Sequence, residues 1–146
     1  MISSYNITAQ LVTIDGLLTF TTDRILTGCT ITRNGPTFQL NKPGYYYVTF
    51  NADASSATVD AITVELQNNG VAVPGATATI TPAVANDVMN LAFATIIKVP
   101  PSCCAIDNTA NLTLVNTGVA ATFTNVRNRQ KTLCFFLGER NRVFSE

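Results

Sequence analysis

Apolar and polar residues alternate with a period of two through most of the chain. The longest clear case is Tyr45–Ala54, which places Tyr46, Val48, Phe50 and Ala52 on one side and Tyr45, Tyr47, Thr49 and Asn51 on the other. Ala61–Gln67 alternates the same way, with Ile62, Val64 and Leu66 facing in and Thr63, Glu65 and Gln67 facing out. In Val88–Val99 the inward set is Met89, Leu91, Phe93, Ile97 and Val99. The core expected from these runs contains Tyr46, Val48, Phe50, Ile62, Val64, Leu66, Leu91 and Phe93. Shorter strands are expected over Leu17–Thr22, Cys29–Arg33, Thr37–Leu40, Ala76–Thr81, Asn111–Val115, Ala121–Thr124 and Thr132–Leu137.

Turn signals separate these runs: Asp15-Gly16, Asn34-Gly35-Pro36, Lys42-Pro43-Gly44, Pro74-Gly75, Pro100-Pro101 and Asn116-Thr117-Gly118. Asn69-Gly70 is the sharpest, because a type I′ hairpin turn needs positive φ at both central residues. Helix signals are almost absent, and no internal repeat or linker interrupts the series. About eight to ten short strands with such turns predict an all-β sandwich wired as a Greek key.

The 146 residues suit one domain with a real core. Charged residues make up only 12%, about half the usual share, and nine basic side chains cancel nine acidic ones. A neutral, charge-poor monomer is weakly protected against association, so much of the surface is expected to be covered in an assembly. Neutrality excludes a basic footprint for nucleic acid, and no apolar run reaches the length of a membrane span. Met1–Leu11 lacks the basic-then-apolar plan of a signal peptide, which predicts an intracellular protein or one released by lysis.

Histidine is missing altogether. That removes the commonest general base and the usual partner of a serine or cysteine nucleophile. Asp15, Asp23, Asp53, Asp60, Asp87 and Asp107 all fall in turn-like or strand-end contexts, where aspartate serves the backbone. No catalytic, cofactor-binding or metal-binding residue is assigned. The oxygens of "NDVMN" and "AIDNTAN" supply calcium-type ligands without evident convergence. Cys29, Cys103, Cys104 and Cys134 match no zinc spacing and read as buried or half-buried thiols; the adjacent Cys103–Cys104 pair could also cross-link subunits. Asn6-Ile7-Thr8 and Asn111-Leu112-Thr113 match the glycosylation acceptor pattern, accidentally so without a secretory signal.

Five of the nine basic residues (Arg127, Arg129, Lys131, Arg140 and Arg142) lie in the last 21 positions. The chain is therefore divided into an N-terminal arm or first strand over 1–16, a central domain over 17–125 and a basic C-terminal strand or extension over 126–146. This tail either docks on a neighbour or forms a final strand with solvated charges around "TLCFFL".

"TFQLNKPGYYYVTFNADAS" resembles the central signature of the tumour-necrosis-factor and complement globular-head superfamily: a short strand, a Pro-Gly turn, then an aromatic-rich strand. "ITVELQNNGVAVPGATATIT" and "NTANLTLVNTGVAATFTN" resemble later hairpins of its bacterial and phage members. The similarity spans roughly Leu17–Asn125, and the charged tail departs from the single apolar strand with which members finish. It implies a TNF-like jelly-roll β-sandwich forming a homotrimer with the aromatic strand near the three-fold axis. On that implication Tyr45, Tyr47, Thr49 and Asn51 meet neighbouring subunits. One strand cannot point consecutive tyrosines into one core.

The function expected from this resemblance is non-enzymatic: a bacteriophage virion structural protein, as a trimeric capsid decoration, a head-fibre-like component, or a tail or receptor-binding module. Expected partners are further copies of the chain and the major capsid protein or another virion protein, with a host-surface glycan as a further candidate. Assembly into the virion is expected in the host cytoplasm. The alternatives are a spore- or cell-surface head domain of the same fold and a carbohydrate-binding jelly roll.

Overall fold

A computed structural model describes residues 1–28, 30–100, 110–136 and 142–145. Twelve strands follow one another: β1 (Ile2–Asn6), β2 (Gln10–Val12), β3 (Thr22–Leu26), β4 (Ile31–Asn34), β5 (Thr37–Leu40), β6 (Gly44–Ser55), β7 (Ile62–Asn68), β8 (Val71–Ile80), β9 (Met89–Val99), β10 (Ala110–Asn116), β11 (Ala121–Phe136) and β12 (Arg142–Ser145). They form two antiparallel sheets. The front sheet has the order β3-β1-β11-β6-β9, with β2 and β12 also pairing β11; the back sheet has the order β4-β5-β10-β7-β8. From β5 onward the chain crosses repeatedly between sheets, as jelly-roll wiring requires.

The alternating residues meet between the sheets. Tyr46, Val48, Ile62, Val64, Leu66, Phe38, Leu40, Leu112, Leu114 and Phe123 are buried there, together with Phe50 and Leu91. Phe93 is half-buried, because β9 is a sheet edge, and its ring lies 5.3 Å from that of Phe50. Burial pushes the Tyr46 phenol above its ordinary pKa, against a hydrogen bond that its hydroxyl donates to the Lys42 carbonyl. A single full-size side chain of this kind contributes about 1.5–3 kcal/mol when buried.

Among the described residues a charged link ties the sheets together. Arg33 on β4 reaches Asp23 on β3, with Nε–Oδ1 at 2.6 Å and Nη2–Oδ2 at 3.1 Å. Ser4 adds its hydroxyl to the same carboxylate at 2.5 Å. Burial alone would raise Asp23; the hydrogen bonds from Arg33 and Ser4, with the Arg33 charge, outweigh it and hold the carboxyl below its ordinary value.

Several sequence expectations change. The alternation at Leu17–Thr22 is not a ladder strand. Leu17 makes one bridge to Val115 in the back sheet, while Thr21 N–H donates to Tyr5 O in the front sheet, so this segment crosses between the layers. Leu18 and Phe20 alternate because both bury their side chains in the core during that crossing. The strand expected at Cys29–Arg33 is β4, which begins at Ile31; Cys29, Cys103, Cys104, Asp107 and Arg140 lie outside the described residues.

Pro74-Gly75 is not a turn but a bulge within β8, where residues 73–76 face Leu66 alone and Gly75 has φ +80°. Edge position makes this tolerable, since proline has no N–H to give a central ladder. Residues 1–16 hold two strands, both paired to β11. Gly118, in the β10–β11 turn, admits no side chain: a Cβ there would stand 2.6 Å from the Ala61 carbonyl oxygen and from Thr63 N.

The largest departure concerns the tail. The strands expected at Ala121–Thr124 and Thr132–Leu137 belong to one strand, β11, whose described span ends at Phe136. It is the central strand of the front sheet, held by β6 on one side and by β1, β2 and β12 on the other. The boundary placed after Asn125 falls inside it. Residues 126–136 are therefore no appendage; the ladder needs them to join β1 to β6.

Candidate functional site

The outward face of the front sheet collects the side chains that the core refuses. Antiparallel register sets them in rows across β1, β11, β6 and β9. One row is Ser3, Arg129, Thr49 and Ala94; the next is Tyr5, Arg127, Asn51 and Ala92. Beyond them come Lys131, Tyr47 and Ile96, then Tyr45 beside Lys98. Tyr45 is 37% exposed, Tyr47 40% and Ile96 56%. Lys98 Nζ stands 5.9 Å from the Tyr45 ring centroid, within cation–π range.

A bulge decides which charges reach this face. The β11–β6 register shifts between Thr124 and Arg127, so that residues 125 and 126 oppose Ala52 alone. Asn125 takes φ +51°, a left-handed conformation that asparagine accepts more readily than most residues. Phe123 faces the core before the bulge and Val126 after it. Without the bulge, unbroken alternation of this same sequence from Phe123 would send Arg127, Arg129 and Lys131 into the sandwich. With it, the inward positions fall to Val126, Asn128 and Gln130, all buried. Gln130 Nε2 donates to Asn128 Oδ1 at 2.8 Å, and Asn128 Nδ2 donates to the Thr49 carbonyl at 3.2 Å. A second register shift in the β1–β3 ladder leaves Arg24 between the residues paired with Ser3 and Ser4, and it lines a depression with Ser3, Tyr5 and Arg127.

The face thus carries Arg24, Lys98, Arg127, Arg129 and Lys131, five of the nine basic residues. Among the described residues its one carboxylate is Asp53, near the end of β6. Asn90 Nδ2 donates to Asp53 Oδ1 and Asn125 Nδ2 to Asp53 Oδ2, each at 3.1 Å. Those two hydrogen bonds, aided by the Arg127 charge, hold Asp53 below the ordinary carboxylate range against a small opposing effect of burial. Asn90 also donates to Asn51 Oδ1 at 2.9 Å. Among the described residues the ion pair present is Arg33–Asp23, which lies elsewhere.

Three shallow depressions adjoin on this face. The largest, about 490 Å³, is floored by Thr49, Ala92 and Ala94 and walled by Arg127, Arg129 and Asn51. A second of about 420 Å³ opens by Tyr5 and Arg24, and a third of about 210 Å³ lies between Tyr47, Thr49, Arg129 and Lys131.

Tyr45, Tyr47, Thr49 and Asn51 therefore share one surface, while Tyr46, Val48 and Phe50 lie beneath it. The basic row on β11 was missed as part of that surface. The sequence signal was the phase change from Ala121 and Phe123 to Val126 across an asparagine. Of the calcium-type stretches, "NDVMN" spends its Asn90 amide on Asn51, Ala52 and Asp53, and most of "AIDNTAN" lies outside the described residues. Among the described residues no three His, Cys, Asp or Glu side chains converge. This face can bury aromatic and aliphatic surface and can meet negative charge; its described carboxylate, Asp53, is already engaged by two amides.

No protein-family model and no curated protein sequence matches the chain. Solved structures do. The globular domain of zebrafish complement 1qA protein superposes with a TM-score of 0.62 at 12% identity, over 96% of this chain and 98% of that one. Murine APRIL, in its crystal structure at pH 8.5, superposes with a TM-score of 0.54 at 7% identity, over 85% and 96%. At identities this low the likeness speaks for the fold alone, and that fold is the all-β jelly roll of the tumour-necrosis-factor and complement globular heads.

Proposed function

We propose that the protein is a non-enzymatic structural head that closes into a homotrimer through the outward face of the front sheet. We further propose a place in a bacteriophage virion, as a capsid decoration, head-fibre-like component or tail module docked on the major capsid protein or another virion protein. The observation that carries the assembly is the joint exposure of Tyr45, Tyr47 and Ile96 on one face of a single chain. Aromatic side chains of this size bury about 150–250 Å² each when covered. The small side chains of Ala92 and Ala94 beside them allow a neighbour to approach closely. A charge content of 12% and a net charge of zero add little repulsion between copies. The virion role draws its support from the resemblance of the hairpin segments to phage members of the superfamily.

Size-exclusion chromatography with light scattering tests the assembly. The expected mass is three times the 15.6 kDa of one chain; a monomer at micromolar concentration would sink the trimer. Mass spectrometry and cryo-EM of purified particles test the location, and a chain that is expressed but absent from particles would end the virion reading. Glycan-array binding centred on Tyr45 and Tyr47 would instead favour the carbohydrate-binding alternative.

A further inference from the structure

Closing this face between copies creates an electrostatic problem. Arg127, Arg129 and Lys131 project from alternate positions of the central strand, and Arg24 and Lys98 flank them. Buried cations without counter-charge are strongly unfavourable. The described carboxylates are badly placed to help. Asp23 is held by Arg33 and Ser4. Glu65 lies in the back sheet and accepts from Gln67. Asp53 is engaged by Asn90 and Asn125 and, among these cations, feels the charge of Arg127 alone, so Arg129 and Lys131 are left without counter-charge. Asp15, Asp60 and Asp87 sit on loops at the Asp53 end of the sandwich, where the neighbouring strand ends carry no lysine or arginine.

Symmetry does not repair this. For three copies closed around an axis running along β6, rotation leaves every residue at its own height. Arg129 and Lys131 pair with Thr49 and Tyr47, four and six residues from Asp53 along β6. At 3.4 Å per residue that is about 14 and 20 Å, beyond the ~10 Å over which exposed charges act at ordinary salt. Each copy would bring its basic rows to the basic rows of its neighbours and its acidic end to their acidic ends. The depression of about 490 Å³ between Arg127 and Arg129 leaves room for an ion at the level where the charge accumulates.

We propose that the assembled protein encloses a small multivalent oxyanion of the phosphate class between subunits, with Arg127, Arg129 and Lys131 as its ligands. Arginine suits this because its planar fork can donate two parallel hydrogen bonds to a tetrahedral oxyanion. This inference rests on the self-association proposed above.

The test measures the trimer–monomer equilibrium by light scattering and thermal melting in chloride, inorganic phosphate or tripolyphosphate at matched ionic strength. At an anion concentration about ten times its dissociation constant, the trimer formation constant is expected to rise roughly tenfold per site. Arg127→Gln with Arg129→Gln should trimerise better than the wild type in chloride and lose the phosphate response. Arg129→Lys should keep it. That opposite sign separates an anion site from a merely structural arginine, whose loss would weaken the trimer in every buffer. A wild-type trimer indifferent to phosphate would overturn the anion and leave the assembly standing, whereas a monomer under all conditions would remove both. A short single-stranded oligonucleotide should give no stabilisation; equal stabilisation by it would mean an open polyanion surface and would also overturn the enclosed ion.

Discussion

The two outward faces of the sandwich are built from different materials. On the back sheet the exposed rows are Thr32 with Gln39 and Asn111, Thr113 with Gln67, and Thr63 with Thr79. Several of these side chains pair locally: the Thr63 and Thr79 hydroxyls lie 3.0 Å apart, Gln67 donates to Glu65 at 3.2 Å, and Asn41 donates to Thr32 Oγ1 at 3.1 Å, while Asn111 Oδ1 is buried without a hydrogen-bond partner. On the front sheet the corresponding rows hold Tyr45, Tyr47 and Ile96 among five cations. A polar face whose groups pair locally is complete in water. An aromatic face carrying one sign of charge gains from being covered. Both faces belong to strands with the same period-two pattern, so the difference lies in what each strand exports, not in how it folds.

The comparison breaks most severely at the bulge. Inserting one alanine between Val126 and Arg127 should invert the parity of β11 beyond the bulge and drive Arg127, Arg129 and Lys131 into the core. Each unpaired buried charge costs several kcal/mol, against a total stability of about 5–15 kcal/mol. The expected outcome is loss of a cooperative melting transition by circular dichroism. Retention of a wild-type melt would show that parity along β11 does not set the two faces.

Truncating the shared core should weaken both faces alike. Leu112→Ala removes a fully buried side chain, with an expected loss of about 2–5 kcal/mol in chemical denaturation and no preference for oligomer over monomer. A smaller and selective effect is expected at the front face. Tyr47→Ser should leave monomer stability within about 0.5 kcal/mol and weaken association by about 2 kcal/mol. Thr79→Ser on the back face should change neither, and light scattering over a dilution series reads the contrast. Equal behaviour of the two variants would erase the distinction between the faces.

The smallest effect concerns pH. Asp23 has a folded pKa below its unfolded value, so its contribution is fully present above the ordinary carboxylate pKa and is lost as pH falls through the folded value. Wild type should therefore lose stability on acidification below about pH 4. Asp23→Asn should be less stable at neutral pH, because Arg33 then keeps its charge without a carboxylate beside it, and should show a shallower decline in pH-dependent denaturation, because the titrating group is gone.

Much of the architecture was legible because period-two alternation is a local property. It marked β6, β7 and β9 almost to their ends, and Asn69-Gly70 marked the β7–β8 hairpin through φ of +52° and +82°. Alternation says which residues share a side, however, and not whether they belong to a ladder. Leu18 and Phe20 alternate across a crossing between sheets, and the same local pattern read as a strand. Pro74-Gly75 carried a turn signal that an edge position converts to a bulge. In both places the deciding partner is distant in sequence.

The sequence by itself determined that the chain is all-β, that its tyrosine strand has an inner and an outer side, and that histidine chemistry is absent. Tertiary structure alone decided that the charged tail runs through the centre of a sheet and that one left-handed asparagine turns its cations toward the tyrosines. The physical reason is reach. Side-chain parity is written between adjacent residues, but which strand lies beside β6, and on which face its charges emerge, depends on pairings made across 67 to 88 residues of chain.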